Sequence, residues 1–125
     1  MFNRFLRGLM AFGLGGSAIM LSAPVANADS YDSSRADFLS SGETAIYEGF
    51  FLADENIFAS CDADCDDLDI YLYDAYTNEL IESDTLVDSN PIVTAPYEGD
   101  FVVEVVMVTC YTEICEAWTD SDHGF

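Results

Sequence analysis

The chain has 125 residues, of which 24 are acidic and three are basic, and its formal net charge is −21. Every acidic residue lies after Ala28, where Arg35 is the single basic residue, so one positive against 24 negative charges gives that part −23. A chain this acidic has no basic surface for DNA, RNA or an anionic membrane, and these partners are excluded.

The first 28 residues have the pattern of an export signal. Arg4 and Arg7 form a positively charged start, an apolar segment covers residues 9–21, and Ala26-Asn27-Ala28 is a small-x-small cleavage site. The apolar segment is short for a membrane span, although an uncleaved anchor is the alternative. We predict signal-peptide cleavage near Ala28 and a secreted or periplasmic protein.

Residues 29–42 are rich in Ser and Asp and predict a flexible N-terminal arm. After the arm, short apolar runs separated by turn signals predict β-strands and no helix. Residues 121–125 are a polar tail that is expected to fray. We therefore predict one all-β domain over residues 43–120, an antiparallel β-sandwich of about seven to eight short strands. The predicted strands are Thr44–Leu52, Ile57–Ser60, Leu68–Tyr73, Glu79–Ser83, Ile92–Ala95, Phe101–Cys110 and Glu116–Thr119.

Two of these strands show patterns of side-chain direction. Apolar residues at alternate positions from Leu68 to Leu72 are interleaved with Asp and Tyr from Asp67 to Tyr73, which predicts one buried and one exposed face. In Phe101–Cys110 apolar residues occupy both alternating sets. That pattern predicts a central strand covered on both sides for much of its length.

Four cysteines stand in two close pairs, Cys61 with Cys65 and Cys110 with Cys115. In an exported chain they predict disulfides, for which three pairings exist. Loop-closure entropy favours a long bridge, at about 4 kcal/mol against about 2 kcal/mol for a local one. Each local pair nevertheless flanks a turn, where a Cα separation of about 5–6 Å is easily reached, so we favour Cys61–Cys65 and Cys110–Cys115. A zinc centre of four thiolates is the alternative.

The turn between the first two cysteines is a candidate calcium site. Asp62, Asp64 and Asp66 alternate along it, and Asp67 and Asp69 follow. Calcium takes six to eight oxygen ligands, and carboxylates that alternate on a turn can converge on one ion. The pattern begins like an EF-hand loop but lacks its glycine and its final glutamate, so an EF-hand is excluded. We predict a different calcium site on these five carboxylates, with a solvated hairpin end as the alternative.

The overall acidity has three explanations, which are calcium binding, solvation in high salt and simple solubility. No catalytic grouping is recognisable, because the one histidine, His123, lies in the predicted tail and carboxylate pairs are unavoidable among 24 acidic residues. We predict a non-catalytic binding or accessory module, calcium-stabilised, with an unknown protein or surface outside the cytoplasm as its partner.

Two other functions stay open. One is a structural or adhesive component of the envelope or extracellular matrix that assembles through aromatic side chains. The other is a small carboxylate-dependent hydrolase. Six aromatic side chains could form a binding face, and the alternative is that they pack against each other across strands. They are Tyr71, Tyr73, Tyr76, Tyr97, Tyr111 and Trp118.

The segment Asp67–Asp74, which reads DLDIYLYD, resembles the core strand of bacterial pre-peptidase C-terminal domains, where an acidic residue precedes Leu-Asp-Leu-x-Leu-x-Asp. Ile81–Asp84 and Glu98–Val105 resemble that family's x-x-Ser-Asp and x-Gly-x-Tyr-x-Val-x-Val patterns, with Phe101 in place of Tyr. The resemblance spans residues 43–118 and implies a non-catalytic, jelly-roll-like sandwich. Some such domains bind calcium, and collagenase relatives bind collagen. They normally accompany a secreted peptidase, of which this sequence shows no sign, and the cysteine pairs are additions to the pattern.

Overall fold

A computed structural model describes residues 35–125, so the predicted export signal and residues 29–34 of the predicted arm lie outside the described part. Within it, no helix is long and apolar enough to cross a membrane. The described chain forms eight strands: β1 (Arg35–Leu39), β2 (Thr44–Phe51), β3 (Asn56–Cys61), β4 (Cys65–Asp74), β5 (Leu80–Asp84), β6 (Ile92–Thr94), β7 (Gly99–Cys110) and β8 (Cys115–Ser121).

The strands form two four-stranded antiparallel sheets. Sheet I has the order β1-β8-β3-β6 and sheet II the order β2-β7-β4-β5. Consecutive strands change sheet at every connection except the β4–β5 hairpin. This order is that of an eight-stranded jelly roll, and the predicted all-β antiparallel sandwich is confirmed.

The core lies between the sheets and follows from alternation along the strands. Leu68, Ile70 and Leu72 of β4 are fully buried, as their spacing predicts. The rings of Phe51 and Phe101 lie on the same inner side, with centroids 6.1 Å apart. Burying a side chain of this size stabilises the fold by about 1.5–3 kcal/mol, so these residues contribute much of the stability of the sandwich.

Strand β7 differs from its prediction. It is central in sheet II, but only the inner set of side chains, from Phe101 to Met107, is buried. The outer set from Val102 to Val106 is half-buried, and Val108 is 39% exposed. The reason is that a two-layer sandwich has one interior, so the outer face of even a central strand is covered only by its cross-strand neighbours.

Both ends of the described chain are more ordered than predicted. Arg35–Leu39, assigned to a flexible arm, is strand β1 and pairs with β8 along its length. In the predicted tail, Ser121 closes β8, and the ring of Phe125 packs edge-on against Phe51 with centroids 4.9 Å apart. A Cβ at Gly49 would come within 2.9 Å of Phe51 and Phe125, so a larger side chain there would displace the tail. These contacts join residues that are far apart in the sequence, so the local composition on which the two predictions rested could not indicate them.

The two predicted local disulfides are the ones that form. Cys61 and Cys65 join the end of β3 to the start of β4, and Cys110 and Cys115 join β7 to β8; both Cα separations are 5.9 Å. Each bridge therefore links sheet I to sheet II. No cysteine of residues 35–125 is free, which leaves no thiolate for the zinc alternative. Disulfides persist in oxidising compartments, which fits an extracytoplasmic protein.

Candidate functional site

A cavity of about 400 Å³ opens where β2, β7 and the β4–β5 turn meet. It lies at one end of the outer face of sheet II, since Glu48 and Phe50 are exposed side chains of β2 and Asp100 is the cross-strand neighbour of Phe50. Its walls therefore come from three segments far apart in sequence. The residues that line it are Glu48, Gly49, Phe50, Ala75, Tyr76, Asp100 and Phe101.

The β4–β5 turn is built around Asp74. Its Oδ1 accepts hydrogen bonds from the backbone N–H groups of Tyr76 at 2.8 Å and Thr77 at 3.0 Å, and its Oδ2 accepts one from the Tyr97 hydroxyl at 2.6 Å. The bond from Tyr97, followed by those from Thr77 and Tyr76, lowers the pKa of Asp74 below its usual value. Asn78 completes the turn at φ 62°, a conformation that Asn tolerates better than most residues. The turn thereby holds Tyr76 at the cavity.

Carboxylates and aromatic rings meet in this cavity. The Tyr76 hydroxyl donates to Oδ2 of Asp100 at 2.9 Å, and the Ala75 N–H donates to the Asp100 backbone carbonyl at 3.1 Å. The hydrogen bond to Asp100, together with its charge, raises the pKa of Tyr76. Tyr76 is 81% and Phe50 is 52% exposed, so both rings are accessible. Two carboxylates beside two accessible rings favour a cation, through charge and through the electron-rich ring faces.

The outer face of sheet II continues from this cavity. Glu104 stands at its centre, opposite Ile46 on β2 and Tyr71 on β4, and accepts a hydrogen bond from the Tyr73 hydroxyl at 3.3 Å. Burial and the negative charge of Glu104 raise the pKa of Tyr73. Large apolar side chains remain accessible around it: Ile46 (62%), Phe50 (52%), Leu80 (50%) and Val108 (39%). We call this surface, with the cavity, the outer face of sheet II.

The predicted aromatic face is not one surface. Tyr71 and Tyr73 lie on β4 in sheet II, and Tyr111 follows β7 and donates to Asp66 Oδ2 at 2.9 Å. Trp118 lies in β8 of sheet I, opposite Ala36 and Ser60. Only part of the proposed aromatic set therefore shares a face.

The structure separates the predicted calcium ligands into two groups. In the turn, Asp62 Oδ1 accepts from the Asp64 N–H at 3.1 Å and its Oδ2 from the Glu116 N–H at 2.8 Å, which fastens the turn to β8. Asp64 is exposed, and Asp66 binds Tyr111. Across residues 35–125, no three His, Cys, Asp or Glu side chains already stand close enough together to hold a metal ion.

Asp67 and Asp69 form the second group and are more buried. Asp67 is 8% exposed, and the Oδ1 atoms of both residues are buried without a hydrogen-bond partner in the described part of the chain. Burial raises the pKa of Asp69, and the negative charges of Asp67 and then Asp84 raise it further. The strand pairing between β4 and β7 is irregular from Cys65 to Leu68, and Asp67, a buried carboxylate, lies within this β-bulge.

Glu55 is a buried carboxylate that no sequence pattern indicated. Glu55 is 3% exposed and accepts hydrogen bonds from the Leu52 N–H, the Ser121 hydroxyl and the His123 N–H. His123 thus contributes only its backbone N–H to this contact, which is structural.

Alternation within β2 predicts that Glu48 and Phe50 share one face of the strand. Their proximity to Asp100 and Tyr76 depends on the strand register, which the sequence does not show.

The sequence matches no protein-family description and no curated protein at a significant level. Among solved structures, it is similar to PliG of Aeromonas hydrophila, a periplasmic lysozyme inhibitor of g-type lysozyme. The identity is 9%, the match covers 69% of this chain and 81% of that chain, and the TM-score is 0.46. A likeness this distant carries no argument about function, and the resemblance to pre-peptidase C-terminal domains stays a prediction.

Proposed function

We propose that this protein is an exported, non-catalytic binding module that accepts a basic side chain of a partner protein in the cavity of sheet II. One observation carries the proposal: Glu48 and Asp100 stand beside the exposed rings of Phe50 and Tyr76 around a space of about 400 Å³. A guanidinium or ammonium group is attracted by both kinds of neighbour.

The charge of the whole chain supports a basic partner. Residues after Ala28 contain 24 acidic side chains and the single basic residue Arg35. The guanidinium carbon of Arg35 lies 5.1 Å from the centroid of the Phe125 ring, and Arg35 is not one of the residues that line the cavity. A field of one sign raises the rate of encounter with oppositely charged proteins and disfavours association with a second copy of this chain.

The surroundings of the cavity support a protein rather than a free small cation. Ile46, Leu80 and Val108 are accessible on the same outer face, and each is at least 39% exposed. Protein interfaces combine apolar contact area with a few charged anchors, and arginine is among the residues enriched in them. A partner would cover the apolar side chains while its basic residue enters the cavity.

The test is an NMR titration of the exported, oxidised protein with N-acetyl-arginine amide, and with the citrulline analogue as the neutral control of nearly the same shape. We expect saturable shifts confined to resonances around Tyr76 and Asp100 with the arginine probe, at millimolar affinity, and none with citrulline. Asp100→Asn and Glu48→Gln should each weaken binding several-fold. Glu98→Gln, which removes an exposed carboxylate outside the cavity, should leave it unchanged.

The proposal fails if arginine shifts resonances evenly over all acidic surfaces, because that pattern reports ion screening. It also fails if citrulline binds equally well. Concentration-dependent self-association in sedimentation, abolished by Phe50→Ala, would instead favour the structural or adhesive component.

A further inference from the structure

Four carboxylates of the described chain belong to the segments where β4 meets the end of β5 and the following loop, although no three of them stand close enough together to share a metal ion. Asp67 and Asp69 lie on β4, Asp84 is the last residue of β5, opposite Ile70, and Asp88 follows in the loop. The Leu68 N–H donates to the Asp88 backbone carbonyl at 2.9 Å, so the loop lies directly against β4. The charges of Asp67, Asp84 and Asp88 all act on Asp69.

Two of these carboxylates are satisfied by their own loop. Asp84 accepts hydrogen bonds from the N–H groups of Leu86 at 3.2 Å and Ile92 at 3.0 Å, and Asp88 accepts one from the N–H of Asn90 at 2.8 Å. These contacts account for Asp84 and Asp88 as turn-forming residues. Because these carboxylates are already hydrogen-bonded, neither needs a ligand to satisfy it.

Asp67 and Asp69 are different. Asp67 is more than nine-tenths buried, and within residues 35–125 its Oδ1 atom and that of Asp69 have no hydrogen-bond partner. Two neighbouring carboxylates with buried, unpaired oxygens are costly unless a positive charge joins them.

The described chain has no positive side chain to supply that charge. Arg35 is the single Lys or Arg after Arg7, and it lies against the Phe125 ring. His123 is held by its backbone at Glu55. Because residues 35–125 offer no such group, it is supplied from outside this part of the chain, as water, as a proton or as a metal cation. A divalent cation satisfies both ionised carboxylates at once, whereas a shared proton neutralises only one of them.

We propose that Asp67 and Asp69 bind a hydrated divalent cation of the calcium or magnesium class. Asp84 and Asp88 contribute negative charge nearby, and water completes the shell, since two carboxylates alone do not fill it. This site lies on the strand and excludes Asp62 and Asp64 of the cysteine turn. It is independent of the cavity on sheet II, so either proposal can fail without the other.

The experiment is a thermal melt of the exported, oxidised protein in chelator, then with calcium or magnesium chloride, each matched in ionic strength with sodium chloride. We expect a saturable rise in Tm with at least one divalent ion beyond that of sodium. Asp69→Asn and Asp67→Asn should weaken the apparent affinity at least tenfold. Asp64→Asn, which removes an exposed carboxylate of the turn, should leave the response unchanged.

The Tm of Asp69→Asn in chelator provides a second test of the proposal. Without a cation, Asp69→Asn removes a buried charge next to Asp67, so it should raise Tm in chelator while it removes the response to the divalent ion. A misfolded variant would instead lower Tm in every buffer. The proposal is overturned if sodium reproduces the rise, if Asp64→Asn abolishes it, or if infrared spectra at neutral pH show a protonated carboxyl that calcium and magnesium do not displace.

Discussion

Replacement of Glu55 by Gln tests how the C-terminal segment is held. The carboxylate of Glu55 accepts the Leu52 N–H on Oε1 at 2.8 Å, and the Ser121 hydroxyl and His123 N–H on Oε2 at 2.6 and 3.2 Å. The side chain is 3% exposed, so water does not readily replace these bonds. Glu55 therefore connects the β2–β3 turn to the end of β8 and the residues beyond it.

The magnitude follows from these three hydrogen bonds. In Glu55→Gln the amide oxygen can still accept from Leu52, but the amide nitrogen cannot accept from His123, and the Ser121 hydroxyl must turn to accept. A hydrogen bond to a charged group contributes about 1.5–3 kcal/mol, so we expect a loss of roughly 2 kcal/mol of unfolding free energy. For a domain of this size, that corresponds to a fall in Tm of roughly 8–16 °C.

The assay is thermal unfolding followed by circular dichroism, with Glu98→Gln as the matched control. Glu98 is exposed and its side chain forms no hydrogen bond in the described structure, so its replacement relieves the same negative charge without the same contacts. Hydrogen exchange at the Gly124 N–H, which donates to the Ser121 carbonyl, should accelerate only in Glu55→Gln. Equal stability of the two variants, within about 0.5 kcal/mol, would refute the reasoning.

Two further predictions concern the bridges and the β4–β5 turn. Replacement of both Cys110 and Cys115 by Ser should lower the unfolding free energy by about 2 kcal/mol, since the bridge closes a short loop; an unchanged denaturant midpoint would contradict this. For Asp74, the hydrogen bonds that lower its pKa stabilise the fold fully above the unfolded pKa of about 3.9, and that stability is lost as pH falls through the lower folded pKa. The Tm difference between Asp74→Asn and the unchanged protein should therefore be constant near neutral pH and vanish in acid, and a difference that persists at the lowest pH would count against this account.

Much of the fold was predictable because it depends on local patterns in the sequence, namely the alternation of apolar residues and the spacing of the cysteines. Alternation placed Leu68, Ile70 and Leu72 in the core, and the prediction held because period-two alternation needs only one buried face. The close spacing of Cys61 and Cys65 also indicated their bridge, since a short turn limits which thiols can meet. The predicted strands lie within a few residues of the observed ones.

The candidate sites were less predictable. Asp67 and Asp69 were among the predicted metal ligands, but the same reasoning included Asp62, which instead fastens the turn to β8. Spacing in the sequence showed only that these carboxylates are close along the chain. Burial and hydrogen bonding in the folded structure decided that Asp67 and Asp69, and not Asp62, have an oxygen without a hydrogen-bond partner within residues 35–125. The cavity was missed because Phe50 and Asp100 meet only through the β2–β7 register.

By itself, the sequence determined features that depend on neighbouring residues: most of the strands, their alternation and the local disulfides. The export signal in residues 1–28 stays a prediction. Only the tertiary structure decided the strand order, the ordering of Arg35–Leu39 and Phe125, and the partners of Glu55 and Asp69. The physical reason is that side-chain direction repeats every two residues in a strand, while register and burial depend on contacts between residues dozens of positions apart.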